Sequence, residues 1–157
     1  MNPRLILLGT KGGPTIRANN TCQTSNALLI NQKLYVVDCG TGVSRRVVEA
    51  GLPLQALRYV FITHHHSDHT LEYGGLLHNA WSNGLKTRVD VFGPPGTAQM
   101  TEDFWRMMHI DISLRISDEG RPDVRNLVFA HDNPAFDRAT LVNEPNAWRP
   151  GAQPATC

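Results

Sequence analysis

The sequence predicts an α/β (α+β) domain built on one sheet, with a site at the C-terminal end of one strand. Three observations predict it. Short apolar runs of strand character alternate with longer stretches of helical period. The chain has 157 residues, 41% hydrophobic and 18% charged, which suffices for one domain with a real core. A histidine-rich run, Thr63-His64-His65-His66-Ser67-Asp68-His69, directly follows the apolar segment Leu57 to Ile62. Sites in α/β folds usually lie at such strand ends.

Each element follows in order. Arg4 to Leu8 reads as a strand ended by Gly9, and the Gly-, Asn- and Thr-rich stretch Lys11 to Thr24 as a loop. Ala27 to Ile30 and Leu34 to Val37 read as a hairpin turning at Asn31-Gln32-Lys33. Val43 to Ala50 reads as a helix with Val43, Val47 and Val48 on one face, stopped by Gly51 and Pro53. Leu57 to Ile62 is a buried strand. Leu71 to Trp81 has helical spacing, Arg88 to Phe92 is a strand, and Thr97 to about Arg115 is one long helix. Met100, Phe104, Met107 and Met108 form its core-facing stripe. Asn126 to Ala130 is a last strand. From Asn133 onward prolines accumulate and periodicity ends, so the tail reads as irregular.

Composition excludes several function classes. Formal net charge is +1, so no global field draws the chain to nucleic acid or membrane. Apolar runs fall far short of the roughly 20 residues that span a bilayer, and the N-terminus lacks the features of a signal peptide. A cytoplasmic location is the default expectation. Cys22, Cys39 and Cys157 include no Cys-x-x-Cys pair and do not make a disulfide framework.

The chemistry concentrates in His64, His66, Asp68 and His69, a His-x-His-x-Asp-His pattern. A loop this short can aim imidazoles and a carboxylate into one volume. Those donors suit zinc, with manganese or iron as alternatives. Neighbouring residues on a strand-like loop point apart, so His65 is expected to face away, in a supporting or substrate-contacting role. Tyr73 is a candidate substrate contact. His78 is expected to pack on its helix, His109 to lie on the surface, and Trp81 and Trp105 to sit in the core.

This motif, after Phe61-Ile62-Thr63, resembles the signature of the metallo-β-lactamase superfamily. Leu5-Ile6-Leu7-Leu8-Gly9-Thr10 and Val91-Phe92-Gly93-Pro94-Pro95-Gly96 resemble landmarks of its ribonuclease Z and arylsulfatase-like branch, and Tyr35 to Gly40 resembles its strand-Asp-x-Gly element. The resemblance implies an αββα sandwich with metals at the top of its two sheets. It implies His64 and His66 on one ion, Asp68 and His69 on a second, and Asp38 orienting the loop from behind. Asp68 is then the candidate catalytic residue. The implied reaction is hydrolysis by a metal-bound hydroxide, with two divalent ions, zinc first, in the complete site.

The resemblance also implies ligands from a second half: a further histidine, a bridging aspartate and a distal histidine. Ala139 to Pro145 resembles the segment around the third ligand, and Glu144 stands in its place. His131 is the other candidate. The chain therefore reads as the N-terminal half of such a domain over 1–132, followed by an irregular Pro-rich tail over 133–157. One sheet with helices on one side leaves an apolar face bare, so the half is expected to be marginal, aggregation-prone or a homo-oligomer.

Two classes of function follow. The first is a hydrolase of phosphodiester, sulfate or other esters, with lactone or β-lactam hydrolysis as the alternative. Its partner would be a small-molecule or nucleotide ester; tRNA is allowed by the resemblance but not indicated by charge. The second is an inactive truncated fragment with an incomplete metal site.

Overall fold

The computed structural model describes residues 3–18 and 21–133. The expected tail beyond Asn133, Glu144 included, lies outside the described residues. Six strands form one sheet: β1 (Arg4–Gly9), β2 (Ser25–Ile30), β3 (Lys33–Val37), β4 (Leu57–Phe61), β5 (Val89–Gly93) and β6 (Val128–Asp132). Their spatial order is their order in the chain. β1 to β3 pair antiparallel, and β3 to β6 pair parallel.

The β2–β3 hairpin closes through Asn31 and Gln32 alone, at φ 48° and 64°. Positive φ at both central positions matches the twist of the flanking strands. Lys33 thus belongs to the strand, not the turn.

Parallel neighbours need crossovers. α1 (Val43–Glu49) links β3 to β4. α2 (Ser67–Thr70) and α3 (Tyr73–Ser82) link β4 to β5, and α4 (Thr97–Met107) and α5 (His109–Glu119) link β5 to β6. Right-handed crossovers along a sheet that advances in one direction place these helices on one face. There Leu34, Val36, Val60, Val89 and Val91 meet Val43, Val47, Leu76, Leu77, Trp81 and Ile112 in one core.

The other face carries an aromatic row. Tyr35 stacks on Tyr59 at 4.8 Å between centroids, Phe61 on Phe92 at 5.7 Å, and Phe92 on His131 at 4.7 Å. Beyond the row the apolar surface is open: Leu5 and Leu7 are 66% and 62% exposed and Phe129 41%. The expected bare face is therefore present among the described residues.

Several expectations are corrected. The long helix is two, broken at Met108, whose φ of −95° and ψ of 8° leave the helical range. The break turns α5 so that Ile112 is buried and Asp111 reaches His78 at 2.7 Å. Of the expected stripe, Met100, Phe104 and Met108 pack against the core beside the buried Thr97, Thr101 and Trp105, and only Met107 departs, at 68% exposed. On α1, Ser44 turns inward and Val48 faces solvent. β6 begins later than expected, because Asp123 accepts the Arg125 N–H and starts a 3-10 turn over Val124–Asn126. His131 therefore lies within the strand.

Candidate metal centre

The histidine run leaves β4 and turns directly into α2. His66 stays extended before the helical turn, while Asp68 and His69 fall within it. The four side chains of the motif gather at this bend. His64 lies 4.8 Å from His66 and 4.0 Å from His69 between ring centroids. His69 Nε2 lies 3.5 Å from Asp68 Oδ2.

Asp38 organises the cluster from behind. Its carboxylate accepts the Thr63 main-chain N–H at 2.8 Å, the Thr63 hydroxyl at 2.9 Å, and His69 Nδ1–H at 2.7 Å. A carboxylate only accepts, so the His69 proton sits on Nδ1 and the lone pair on Nε2. The same logic passes through Thr63. Its hydroxyl donates to Asp38, so His64 Nδ1, 3.0 Å away, donates to the Thr63 oxygen. One buried carboxylate thus sets the tautomers of two imidazoles and leaves Nε2 of each free.

Asp38 occupies the left-handed region at φ 62°, where aspartate and asparagine are the tolerated non-glycine residues. Gly40 allows the loop after it to press on the motif. A Cβ there would stand 2.4 Å from the Asp68 carbonyl oxygen.

Asp68 is buried, and burial pushes its carboxyl up. The Gly13 N–H, donating to Oδ2 at 2.7 Å, outweighs this together with the nearby His69 and His66, and holds the carboxyl below its ordinary range.

His65 points elsewhere, its Nε2 lying 3.2 Å from the Pro95 carbonyl oxygen. The turn it touches is tied down by Asp132, which accepts the Gly96 and Ala98 N–H groups at 3.0 and 2.9 Å. His131 lies on the aromatic face, 2.9 Å from Asp90 through Nε2. His78 contacts Asp111 and the edge of Trp81, and His109 is exposed. Tyr73 is not placed for substrate: it is 1% exposed, with its hydroxyl 2.7 Å from Thr101 Oγ1 inside the core.

Sequence reading missed Thr63, Gly13 and Glu72. Thr63 could have been noticed as a hydroxyl between strand and motif. Gly13 meets Asp68 across 55 positions, and nothing local announces it.

Among the described residues, no three His, Cys, Asp or Glu side chains are arranged to hold a metal ion as they stand. Asp68 Oδ2 is turned to Gly13, and the His64 and His66 rings meet edge to face at 79°. One pair of donors is nevertheless spaced for a divalent ion. Two ligands about 2.1 Å from a tetrahedral zinc stand about 3.4 Å apart, and the His69–Asp68 donors are at 3.5 Å.

Comparison with known proteins bears on the family and the fold. A family model described as anti-Pycsar protein Apyc1 matches residues 3–108. Ribonuclease Z of Methanothermobacter thermautotrophicus is 31% identical over 113 residues, 72% of this chain and 36% of that protein. Ribonuclease Z of Mycobacterium bovis is 30% identical over 154 residues, 93% of this chain and 54% of that protein. The short form of human tRNase Z (ELAC1) superposes with a TM-score of 0.57 at 24% identity, over 68% of this chain and 39% of that one. The metallo-β-lactamase fold protein YhfI of Bacillus subtilis gives 0.53 at 22% identity, over 64% and 40%. The chain spans about a third to a half of the length of the curated relatives it matches. With this fold, this motif and these matches, the chain belongs to the metallo-β-lactamase superfamily on its ribonuclease Z branch, and to the family described as anti-Pycsar protein Apyc1.

Proposed function

We propose that this chain carries the front half of the metal site of a phosphodiester hydrolase. The observation that carries the reading is the Asp38 carboxylate, which holds Nδ1 of His69 directly and of His64 through Thr63, and leaves His69 Nε2 3.5 Å from Asp68 Oδ2. In this reading His64 and His66 hold one ion and Asp68 and His69 a second, with zinc first and manganese or iron as alternatives. When bound, such ions acidify water toward neutral pH and stabilise charge on the attacked oxygens. The chain's own residues supply orientation. Asp38 and Thr63 fix the imidazoles, Gly13 keeps Asp68 ionised as ligand and candidate proton acceptor, and His65 braces the loop on the Pro95 turn.

The first ion would take only two ligands from His64 and His66. His131 is held by Asp90 on the other face, and Glu144 lies outside the described residues. We therefore expect the third ligand and the remaining donors to come from a second layer packed on the open face, against residues 1–132. That layer is further chain or a second copy. Metal binding by the 157-residue chain alone should be weak, and its turnover small.

Relatives named ribonuclease Z favour a phosphodiester over a sulfate ester, lactone or β-lactam. A neighbour described as a diphosphatase of the PhnP family, at a TM-score of 0.57 and 16% identity, has the same fold. With a net charge of +1, a small phosphodiester is the first substrate to try and an immature tRNA end the second. A cytoplasmic setting belongs to the same proposal.

The test is metal content after gel filtration, with hydrolysis of bis(p-nitrophenyl) phosphate as the activity readout. Metal that co-elutes with the chain and is lost in His66→Ala supports the site. Equal zinc affinity of wild type and His66→Ala by chelator competition, or ester hydrolysis that survives both chelator and the substitution, would overturn it.

A further inference from the structure

We propose that Glu72 is a positioning residue for the histidine loop, acting through the Asp38–Gly42 segment without touching metal or substrate. The inference rests on the metal-site reading above for its functional meaning. α1 has no cap of its own. Gly42 stands at its N-cap without a side-chain bond, and its first turn holds no acidic residue. The missing acceptor comes from another helix. Glu72, at the N-cap of α3, takes the Gly42 N–H with one carboxylate oxygen and the Ser44 N–H at 3.0 Å with the other. A carboxylate there satisfies donors the helix leaves unpaired and meets the positive end of its dipole.

The main chain of Glu72 makes the second half of the clamp. Its N–H donates to the Cys39 carbonyl at 3.0 Å, and the Cys39 N–H donates to the His69 carbonyl at 2.6 Å. The segment holding Asp38 is thus pinned at Cys39, Gly42 and Ser44 by one residue placed three positions after His69. Asp38 sits at φ 62°, a conformation that persists only where its surroundings hold it. Without the Glu72 carboxylate, Gly42 and Ser44 lose their acceptor and the segment loosens from that end, while the main-chain bonds at Asp38, Cys39 and Gly40 remain. Asp38 then loses its aim on His69 Nδ1.

The experiment reads the imidazoles by nitrogen NMR in the metal-free 157-residue chain, at about pH 8.5, well above the ordinary imidazole value. Glu72→Ala and Glu72→Gln are compared with wild type. Glu49→Gln, which removes an ion-paired carboxylate at the far end of α1, controls for simple helix loss. Wild type should show His69 as the Nδ1–H tautomer. Glu72→Ala should move it toward a mixture while His78, held by Asp111, is unchanged. Glu72→Gln, which keeps one acceptor oxygen, should fall between and decides the matter if the alanine variant does not fold. Glu49→Gln should leave His69 alone. Zinc affinity by chelator competition should fall about 10–100-fold in Glu72→Ala, the usual range for a lost supporting partner. A folded Glu72→Ala with the wild-type His69 signature and only a lower melting temperature would overturn the proposal. So would a wild type whose His69 carries its proton on Nε2. A shifted tautomer in a chain that binds no zinc would uphold Glu72 and sink the metal reading instead.

Discussion

Asp38 and His69, 31 positions apart, meet at 2.7 Å between Oδ2 and Nδ1. The contact joins the end of β3 to the turn of α2 and fixes which nitrogen of His69 is free. Asp38→Asn should keep the left-handed backbone but lose the charge that holds the proton on Nδ1. Zinc affinity should fall about 10–100-fold, measured by competition with a chromogenic chelator. Asp38→Ala adds about 1–2 kcal/mol of backbone cost at positive φ, seen as a lower urea midpoint than that of Asp38→Asn.

Gly40 has no room for a side chain. A Cβ would lie 2.4 Å from the Asp68 carbonyl oxygen and 2.6 Å from Gln23 Cβ. Gly40→Ala should therefore cost about 1–3 kcal/mol, the range of an overpacked site. It should displace Asp68 as well, so metal binding and denaturation midpoint should fall together. A variant with wild-type values of both would show that the loop yields freely.

Tyr73→Phe separates a core role from a substrate role. The Thr101 hydroxyl donates to the Thr97 carbonyl, so the Tyr73 hydroxyl donates to Thr101, and removing it should cost about 1 kcal/mol. Metal affinity and any KM should be unchanged. A raised KM at unchanged stability would contradict the buried placement.

Asp111 joins α5 to α3. The Arg115 guanidinium beside it, with a smaller contribution from His78, holds its carboxyl below the ordinary range against the opposing effect of burial. A depressed carboxylate contributes stability that is complete above its unfolded value, near pH 4, and is lost as pH falls through the native value. Asp111→Asn should thus lower the melting temperature at pH 7, and the difference from wild type should shrink as acid protonates the native carboxylate. Equal differences at pH 7 and in acid would refute an ionic origin.

Leu5 and Leu7 expose an apolar edge on the face away from the helices. Leu7→Lys should reduce self-association and dye binding of the 157-residue chain, checked by sedimentation and anilinonaphthalene sulfonate fluorescence. A monomeric wild type that binds no dye would show that this face needs no cover.

The strands and the histidine motif are readable in local pattern, as apolar runs and a spacing, whereas Asp38 is reached only through the family resemblance. What the sequence conceals depends on contacts across the chain. The break at Met108 has no proline or glycine to announce it and serves Asp111 and Ile112 at their distant partners. Val48 fits the apolar face of α1 by spacing, yet a neighbouring serine is the residue turned inward. Gly13 and Glu72 act through main-chain donors, which leave no mark in side-chain pattern.

The sheet grows in the same order as the polypeptide. Among the described residues, the hydrogen bonds that aim His64, Asp68 and His69 come from Gly13, Asp38, Thr63 or their neighbours, none of them later than Glu72. The bonds that aim these side chains therefore lie within the first 72 residues, while the loop is also braced on the later Pro95 turn through His65. Each new strand docks only on its immediate predecessor, so loop closure stays short at every step. The polar aim of the histidines is thus encoded early in the chain, and the packing that steadies it is supplied by later segments.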